Sequence, residues 1–216
     1  MDLPKFEDLI RSSTLYFSRP DKFKDPFEGR FSPGNSQRRS KSEEIFRQLY
    51  KIDDRNNRDY PEIHRTVVFI SCWHRNTHES FEMWRAYTSS PESVVITTSA
   101  KALRRFLPEK IMKYAVKYAA LDFPRTEFTH NALFYYKPSG YGIEREYRLL
   151  RSPDEDEVFY PDNPQDRFRR VPIKTKKIVH RVITHPYATP ATKLTVEELL
   201  RRFLPFRRRD DSALEM

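Results

Sequence analysis

Glycine is scarce in this sequence. The 216 residues include only four glycines, Gly29, Gly34, Gly140 and Gly142. None of them forms the glycine-rich turn of a Rossmann dinucleotide site or of a P-loop, where the backbone must approach phosphate closely. We therefore expect no nucleotide binding by either of these two routes, which leaves other nucleotide-binding architectures open.

Cysteine and long apolar runs are scarce as well. The single cysteine, Cys72, excludes a disulfide framework and a cysteine-rich zinc site within the chain, and it favours a reducing compartment. No apolar run approaches the roughly 20 residues that a membrane span needs. The segment Met1 to Lys5 lacks the apolar region of a signal peptide. The sequence therefore predicts a cytoplasmic protein without a membrane span.

Positive charge is abundant. The chain has 40 Lys and Arg against 31 Asp and Glu, which gives a formal net charge of +9. Such a balance favours nucleic acid or another anionic partner, while the alternative is a well-solvated, arginine-rich surface. The densest basic run, Arg201–Arg202 and Arg207–Arg209, lies near the C-terminal end, where solvated tails are common. Both interpretations stay open.

Hydrophobic periodicity predicts short helices that alternate irregularly with strands. The predicted helices cover residues 6–11, 79–87, 100–107 and 196–204, and the predicted strands cover 14–18, 66–73, 93–98, 113–120, 144–151 and 178–184. This order favours the α+β class, as a single domain over residues 1–204 with a mixed, mostly antiparallel sheet flanked by short helices. Residues 32–62 form an insertion-like region of lower order, and residues 205–216 form a basic-acidic C-terminal tail.

The strongest candidate for chemistry lies on the predicted strand 144–151. Glu144, Glu146 and Arg148 are spaced two apart, so they would share one face of a strand. Two close carboxylates repel, and one pKa rises unless a cation such as Arg148 compensates. Such a group can polarise a hydroxyl, stabilise an oxocarbenium-like cation or bind a metal. The alternative is an exposed strand face that carries alternating charges.

Two further stretches are weaker candidates. Arg19, Asp25 and Glu28 belong to a proline-punctuated loop that follows a predicted strand, which is where sites are often built. Ordinary turn chemistry explains the same residues. The second stretch is Cys72-Trp73-His74, followed by Glu79-Ser80, Met83-Trp84 and Tyr87. A Cys/His pair suggests a nucleophile or a metal site, but the spacing fits no zinc pattern. We therefore favour a structural interpretation, in which Cys72 is buried and Trp84 and Tyr87 pack a helix on the sheet.

Several stretches follow one another in a familiar order along nearly the whole chain. They are Leu15-Tyr16-Phe17-Ser18-Arg19-Pro20 with Phe23 and Asp25-Pro26-Phe27-Glu28-Gly29; Phe69-Ile70-Ser71-Cys72-Trp73; Glu79-Ser80 with Met83, Trp84 and Tyr87; Lys137 with Glu144, Glu146 and Arg148; and the region Ile178 to Leu200. Together they resemble the uncharacterised bacterial domain-of-unknown-function family 2971. The resemblance implies a bacterial origin and an association with phage-defence or toxin genes, and it implies no established activity.

The chain departs from that family at three points. Tyr141 stands where tryptophan is usual, and Lys24 stands where asparagine is usual before Asp-Pro. An additional first strand of the family would lie before Met1.

A more distant similarity links the chain to ADP-ribosyltransferases. The order Arg19, then Thr97-Thr98-Ser99, then Glu144-Arg145-Glu146 resembles their Arg…Ser-Thr-Ser…Glu-x-Glu layout. The resemblance implies a split, mixed sheet that binds NAD in a cleft without a glycine-rich loop.

The same similarity implies roles for particular residues. Arg19 would contact an NAD phosphate, and Thr97 and Ser99 would support the site. Glu146 would stabilise the oxocarbenium character of the ribose, and Glu144 would orient the acceptor. Tyr16 or Trp84 would stack on nicotinamide. The remaining candidates for substrate or cofactor binding are Asp25, Glu28, Lys137 and Arg148.

Three functions therefore compete. The first is a transferase that consumes NAD and modifies a protein or nucleic-acid target. The second is a nuclease in which Asp25, Glu28, Glu144 and Glu146 hold Mg²⁺ beside a basic surface. The third is a non-enzymatic module that binds nucleic acid or a protein partner.

Overall fold

A computed structural model describes residues 1–25, 28–30, 60–120, 132–154 and 167–214. Its helices are α1 Leu3–Ser12, α2 Tyr60–Val67, α3 Phe81–Tyr87, α4 Ala100–Phe106, α5 Thr175–Ile178 and α6 Pro190–Phe203. Its strands are β1 Thr14–Ser18, β2 Phe69–His74, β3 Val94–Thr97, β4 Met112–Ala115, β5 Lys117–Ala119, β6 Tyr136–Pro138, β7 Glu146–Arg151, β8 Phe168–Pro172, β9 Arg181–Thr184 and β10 Arg209–Asp210. Short 3-10 helices cover Pro20–Lys22, Ala132–Phe134 and Ser139–Glu144.

The strands form three sheets of mixed direction. The largest sheet has the order β4-β7-β2-β1-β8, and its pairs β4–β7, β7–β2 and β2–β1 are antiparallel. A three-stranded sheet has the order β10-β9-β3, and β5 pairs with β6 in parallel. The α+β class and the mixed, mostly antiparallel sheet predicted from the sequence are confirmed.

The chain divides into two compact units. The first unit comprises residues 1–15, 76–109 and 170–216, and the second comprises residues 16–75 and 110–169. The predicted bounds of a single domain, residues 1–204, stay a prediction. Most of the predicted insertion-like region, residues 32–62, lies outside the described residues.

Several element boundaries differ from the prediction. Strand β2 begins at Phe69 rather than Thr66, because α2 continues to Val67. The last helix begins at Pro190 rather than at the predicted residue 196, and the Thr189 side chain caps it by accepting a hydrogen bond from the Thr192 amide. Residues 178–184 are not one strand, since α5 ends at Ile178 and β9 starts at Arg181.

The core of the second unit covers part of the sheet face that carries Arg148. Val68, Ile70, Phe134 and Leu150 form a buried apolar cluster, against which Phe23, Met112 and Tyr114 pack. Leu150 and Ile70 are cross-strand partners, and Arg148 and Cys72 follow two residues along on the same face. The face thus passes from apolar side chains to charged ones.

Gly29 fixes the approach of the preceding loop to this core. Its φ is +70°, and a Cβ at this position would lie 2.4 Å from Cε1 of Phe134. Only glycine fits both the left-handed conformation and the close contact. The loop therefore brings Glu28 to the sheet.

The C-terminal segment of the first unit is packed rather than a free tail. Strand β10 pairs in parallel with β9. Glu79 accepts hydrogen bonds from the Ser212 hydroxyl at 2.8 Å and from the Ala213 amide at 2.7 Å. In the described part of the chain, no helix combines the length and the apolar character that a membrane crossing requires.

Candidate functional site: an ionic cluster in the second unit

Five charged side chains meet in the second unit and are called the ionic cluster below. They are Glu28, Lys137, Glu144, Glu146 and Arg148. Three carboxylates alternate with two cations, so the cluster carries one formal negative charge when all are ionised. The members come from a loop, strand β6, a 3-10 helix and strand β7, and only the tertiary fold joins them.

Arg148 is the fixed centre of the cluster. Its guanidinium is fully buried and donates to both oxygens of Glu28, from Nη1 at 2.6 Å and from Nη2 at 2.7 Å. Nη1 also donates to the Phe134 carbonyl at 2.8 Å, and Nε donates to Oε2 of Glu146. This bidentate, charge-assisted arrangement holds both carboxylates in place.

Lys137 bridges the two glutamates that sequence reasoning singles out. Its Nζ donates to Oε2 of Glu144 at 2.5 Å and to Oε1 of Glu146 at 3.1 Å. The ammonium also lies 4.6 Å from the centre of the Tyr141 ring. One cation therefore connects a buried carboxylate with a more accessible one, since the Glu144 side chain keeps 17% of its surface exposed.

Glu144 reaches the cluster by a different route from the predicted one. The prediction that Glu144, Glu146 and Arg148 share one strand face is wrong for Glu144. It is the last residue of the 3-10 helix, and the next residue, Arg145, has a left-handed φ of 39°. Strand β7 begins only at Glu146, so the turn rather than the strand pleat directs Glu144 towards Lys137.

The surroundings shift the pKa values of the two glutamates in opposite directions. Burial alone would raise the pKa of Glu146, but the charge and hydrogen bond of Arg148, with help from Lys137, lower it to about 2. Burial raises the pKa of Glu144, and the neighbouring Glu146 adds to the rise against the opposing effect of Lys137. Opposite shifts of this kind separate an anionic role from a proton-accepting role.

His74 is a site residue that sequence reasoning dismissed. It is the cross-strand partner of Glu146, and its Nδ1 lies 2.7 Å from the Glu144 carbonyl oxygen. A carbonyl only accepts, so Nδ1 carries the hydrogen. Nε2 is buried and has no hydrogen-bond partner.

Tyr118 is a second site residue that the sequence did not reveal. Its hydroxyl accepts a hydrogen bond from the Glu146 amide at 2.8 Å. For both His74 and Tyr118 the only available signal is strand register. A single sequence does not supply that register.

Cys72 requires a correction, because the cysteine is exposed rather than buried. It pairs across β2 and β7 with Arg148, which pairs on its other side with Tyr114. Protein also surrounds the sulfur closely, and this desolvation outweighs the Arg148 charge and raises the pKa of the thiol. Cys72 is therefore an exposed residue whose thiol stays protonated at neutral pH.

Three more predicted residues lie in the second unit without an observed contact to the cluster. Arg19 is buried and donates to both oxygens of Asp21, at 2.9 and 2.7 Å. Tyr16 is 51% exposed, and its ring stacks on Phe168 at 4.9 Å. Asp25 is buried in the loop that carries Glu28. Their roles in NAD binding stay predictions.

The other three predicted residues lie in the first unit. Trp84 is 3% exposed; its Nε1 donates to Glu79 at 3.1 Å, and its ring meets His185 edge-on at 5.0 Å. Ser99 caps α4, since its hydroxyl accepts from the Ala102 amide at 3.1 Å. The Thr97 carbonyl accepts from the His180 amide at 2.8 Å. Each has a structural contact, and its role at a site stays a prediction.

The alternative of an exposed strand face is wrong, because Glu146 is 5% exposed and Arg148 is fully buried. Within the described residues, no group of three or more His, Cys, Asp and Glu side chains has the geometry to hold a metal ion. Both oxygens of Glu28 and of Glu146 already face cations.

The chain matches no family model, no curated protein and no solved structure. The resemblances drawn from the sequence therefore stay predictions.

Proposed function

We propose that the protein is an NAD-consuming transferase that moves ADP-ribose from NAD to a protein or nucleic-acid acceptor at the ionic cluster. The observation that carries the proposal is the pair Glu144 and Glu146. They share Lys137, yet their pKa values are shifted in opposite directions. A permanent anion beside a carboxylate that can accept a proton is the pair that glycosyl transfer needs.

The reaction assigns one role to each carboxylate. The bond between ribose C1′ and the nicotinamide nitrogen breaks, and its electron pair leaves with neutral nicotinamide. The Glu146 carboxylate, ionised at neutral pH because of its lowered pKa, stabilises the positive charge on the ribose. The acceptor oxygen then bonds to C1′, and its proton passes to the Glu144 carboxylate.

The neighbours of the pair support this division. Arg148 and Lys137 hold the Glu146 carboxylate in one orientation, so no reorganisation is needed when charge develops. Glu144 is the more accessible of the two, as an acceptor-facing group must be.

Binding of NAD by purified protein, measured by calorimetry together with nicotinamide release, tests the proposal. We expect Glu144→Gln to keep NAD binding and to lose about 10²- to 10⁴-fold in rate, since it removes the proton acceptor. Glu146→Gln is expected to lose about 10²- to 10³-fold. Arg19→Ala is expected to weaken NAD binding, because Arg19 would hold a phosphate in place of Asp21.

Glu92 is exposed, and among the described residues no side chain forms an ion pair with it, so Glu92→Gln is the matched control. It should leave both binding and rate unchanged. Absence of binding at millimolar NAD would refute the transferase proposal.

A second candidate function is a non-enzymatic binding module. One observation favours it: Arg148 and Lys137 occupy the oxygens of Glu28 and Glu146, as in a cluster that only joins loops to the sheet. This function predicts that Glu144→Gln changes neither NAD binding nor nicotinamide release while partner binding persists. The two functions therefore differ in the same assay.

The nuclease with Mg²⁺ stays a prediction without a supporting contact. Cleavage of nucleic acid that is abolished by chelation and restored by Mg²⁺ would revive it. Assays of phage resistance in cells that carry the wild-type or the Glu144→Gln gene test the implied association with phage defence.

A further inference from the structure

Three segments of the first unit carry a concentration of cations. Segments 100–108, 172–180 and 204–208 contain eight Lys and Arg and no Asp or Glu. Seven of the eight are exposed and form what we call the basic face: Lys101, Arg104, Arg105, Lys174, Lys176, Lys177 and Arg208. None of these seven side chains forms an ion pair with an acid in the described part of the chain.

Helix geometry and packing gather these cations. Lys101, Arg104 and Arg105 are spaced three and four apart on α4, so they share its outer side while Ala102 and Leu103 are buried. Helix α5, which carries Lys176 and Lys177, packs against α4. Like charges at such spacing repel one another. The position of Arg104 and Arg105 in the last turn, and the contact of Arg105 with the Phe106 ring at 5.5 Å, offset part of that repulsion.

A groove runs between the two groups of cations. It is lined by Arg105, Phe106, Leu107 and Pro108 on one side and by Pro172, Ile173 and Lys174 on the other. Five of the seven lining residues are apolar, and each side contributes one cation, Arg105 or Lys174. An occupant should therefore combine negative charge with a flat apolar surface.

An exposed aromatic residue adjoins the basic face. Phe206 is 85% exposed, although it lies in a segment that is anchored to α5. The anchor is the next residue, Arg207, whose guanidinium donates to the Val179 carbonyl at 2.7 Å and to the Lys176 carbonyl at 3.1 Å. The chain next to Phe206 is thus fixed, while its phenyl ring stays largely exposed to water.

We propose that the basic face binds single-stranded nucleic acid. Unpaired Lys and Arg track the phosphates, and Phe206 and the groove offer aromatic and apolar surfaces on which unpaired bases stack. A duplex keeps its bases stacked on one another and gains nothing from Phe206. The proposal concerns the first unit only and does not depend on the proposed reaction at the ionic cluster.

The test measures the affinity of the full chain for a fluorescent oligothymidylate by anisotropy, between about 50 and 200 mM salt. The variant Arg104→Gln/Arg105→Gln/Lys174→Gln/Lys177→Gln should bind at least tenfold more weakly. Its log–log salt slope should be shallower by about 3, which is about 0.7 for each lost phosphate contact. Phe206→Ala should weaken binding at least fivefold at unchanged slope, since stacking releases no counterions.

Matched controls distinguish the effect of the basic face from the effect of net charge. Arg170, Arg181, Lys193 and Arg201 are cations of the same unit that pair with acids. Their fourfold Gln variant loses the same charge, but it should bind the oligonucleotide with an affinity and a salt slope close to those of wild type. Tyr187→Ala removes another exposed aromatic residue and should have no effect.

Several outcomes would overturn the proposal. Equal losses in the two fourfold variants would mean that net charge alone attracts the strand. Equal affinity for a duplex, with no effect of Phe206→Ala, would reject the single-strand assignment. Binding to phosphatidylserine vesicles without binding to the oligonucleotide would assign the face to a membrane surface.

Discussion

Glu28→Gln is the sharpest test of the ionic cluster. Both side chains of the Glu28–Arg148 pair are fully buried, and two hydrogen bonds of 2.6 and 2.7 Å connect them. The substitution leaves the buried guanidinium with one carboxylate in place of two. Breaking a buried pair by removing one partner costs about 3–5 kcal/mol, most of it because a charge stays buried without compensation.

Urea unfolding followed by tryptophan fluorescence measures this loss. With an m-value of about 2 kcal/mol/M, the midpoint should fall by about 1.5–2.5 M urea. Glu92→Gln, at an exposed position, should stay within about 0.5 kcal/mol of wild type. A loss below about 1 kcal/mol for Glu28→Gln would refute the view that the pair holds the loop to the sheet.

A double-mutant cycle measures the interaction between Glu28 and Arg148 directly. Arg148→Met alone leaves Glu28 buried without its cation, whereas Arg148→Met combined with Glu28→Gln removes both charges. The double variant should therefore be less destabilised than the sum of the single variants by at least about 1 kcal/mol. Additive losses would mean that the two side chains do not interact in solution.

Three further predictions concern acid stability, backbone conformation and thiol access. Because the pKa of Glu146 is lowered from 4.5 to about 2, its contribution to stability is complete above about pH 4.5 and is lost as the pH falls towards 2; acid titrations of unfolding should show this loss in wild type and not in Glu146→Gln. Gly29→Ala should lower the free energy of unfolding by about 2–4 kcal/mol in thermal or urea unfolding, because alanine is strained at positive φ and its Cβ would clash with Phe134. The control Gly140→Ala, at a position with open space around it, should leave that free energy nearly unchanged. Cys72 should react with a maleimide dye more slowly in the folded protein than in urea, since its pKa is raised, and an equal or faster folded rate would contradict the desolvation.

Local pattern alone predicted a good part of the fold. Strand β1 has the predicted bounds, Thr14 to Ser18, because alternation of Leu15 and Phe17 with polar neighbours is a property of adjacent residues. The predicted helix at Phe6, Leu9 and Ile10 is present and buries those three side chains. Predicted boundaries were wrong where an adjoining helix includes residues that had been assigned to a strand, as at the start of β2.

Local pattern predicted only part of the ionic cluster. Sequence spacing correctly suggested that Glu146 and Arg148 share a strand face. It placed Glu144 on the same strand, because no periodicity reveals the left-handed Arg145 that ends the preceding turn. His74 was dismissed, since only its pairing with Glu146 across two strands brings it to the cluster.

The sequence by itself determined the class of the fold, the absence of a glycine-rich nucleotide loop and the positive charge, because each depends on composition or on neighbouring residues. The tertiary structure alone decided which charges meet. Glu28 and Arg148 are 120 positions apart, and they meet because Gly29 turns the loop against Phe134 while antiparallel pairing aligns β7 with β2. Contacts at such separation depend on chain register and packing, which no local periodicity encodes.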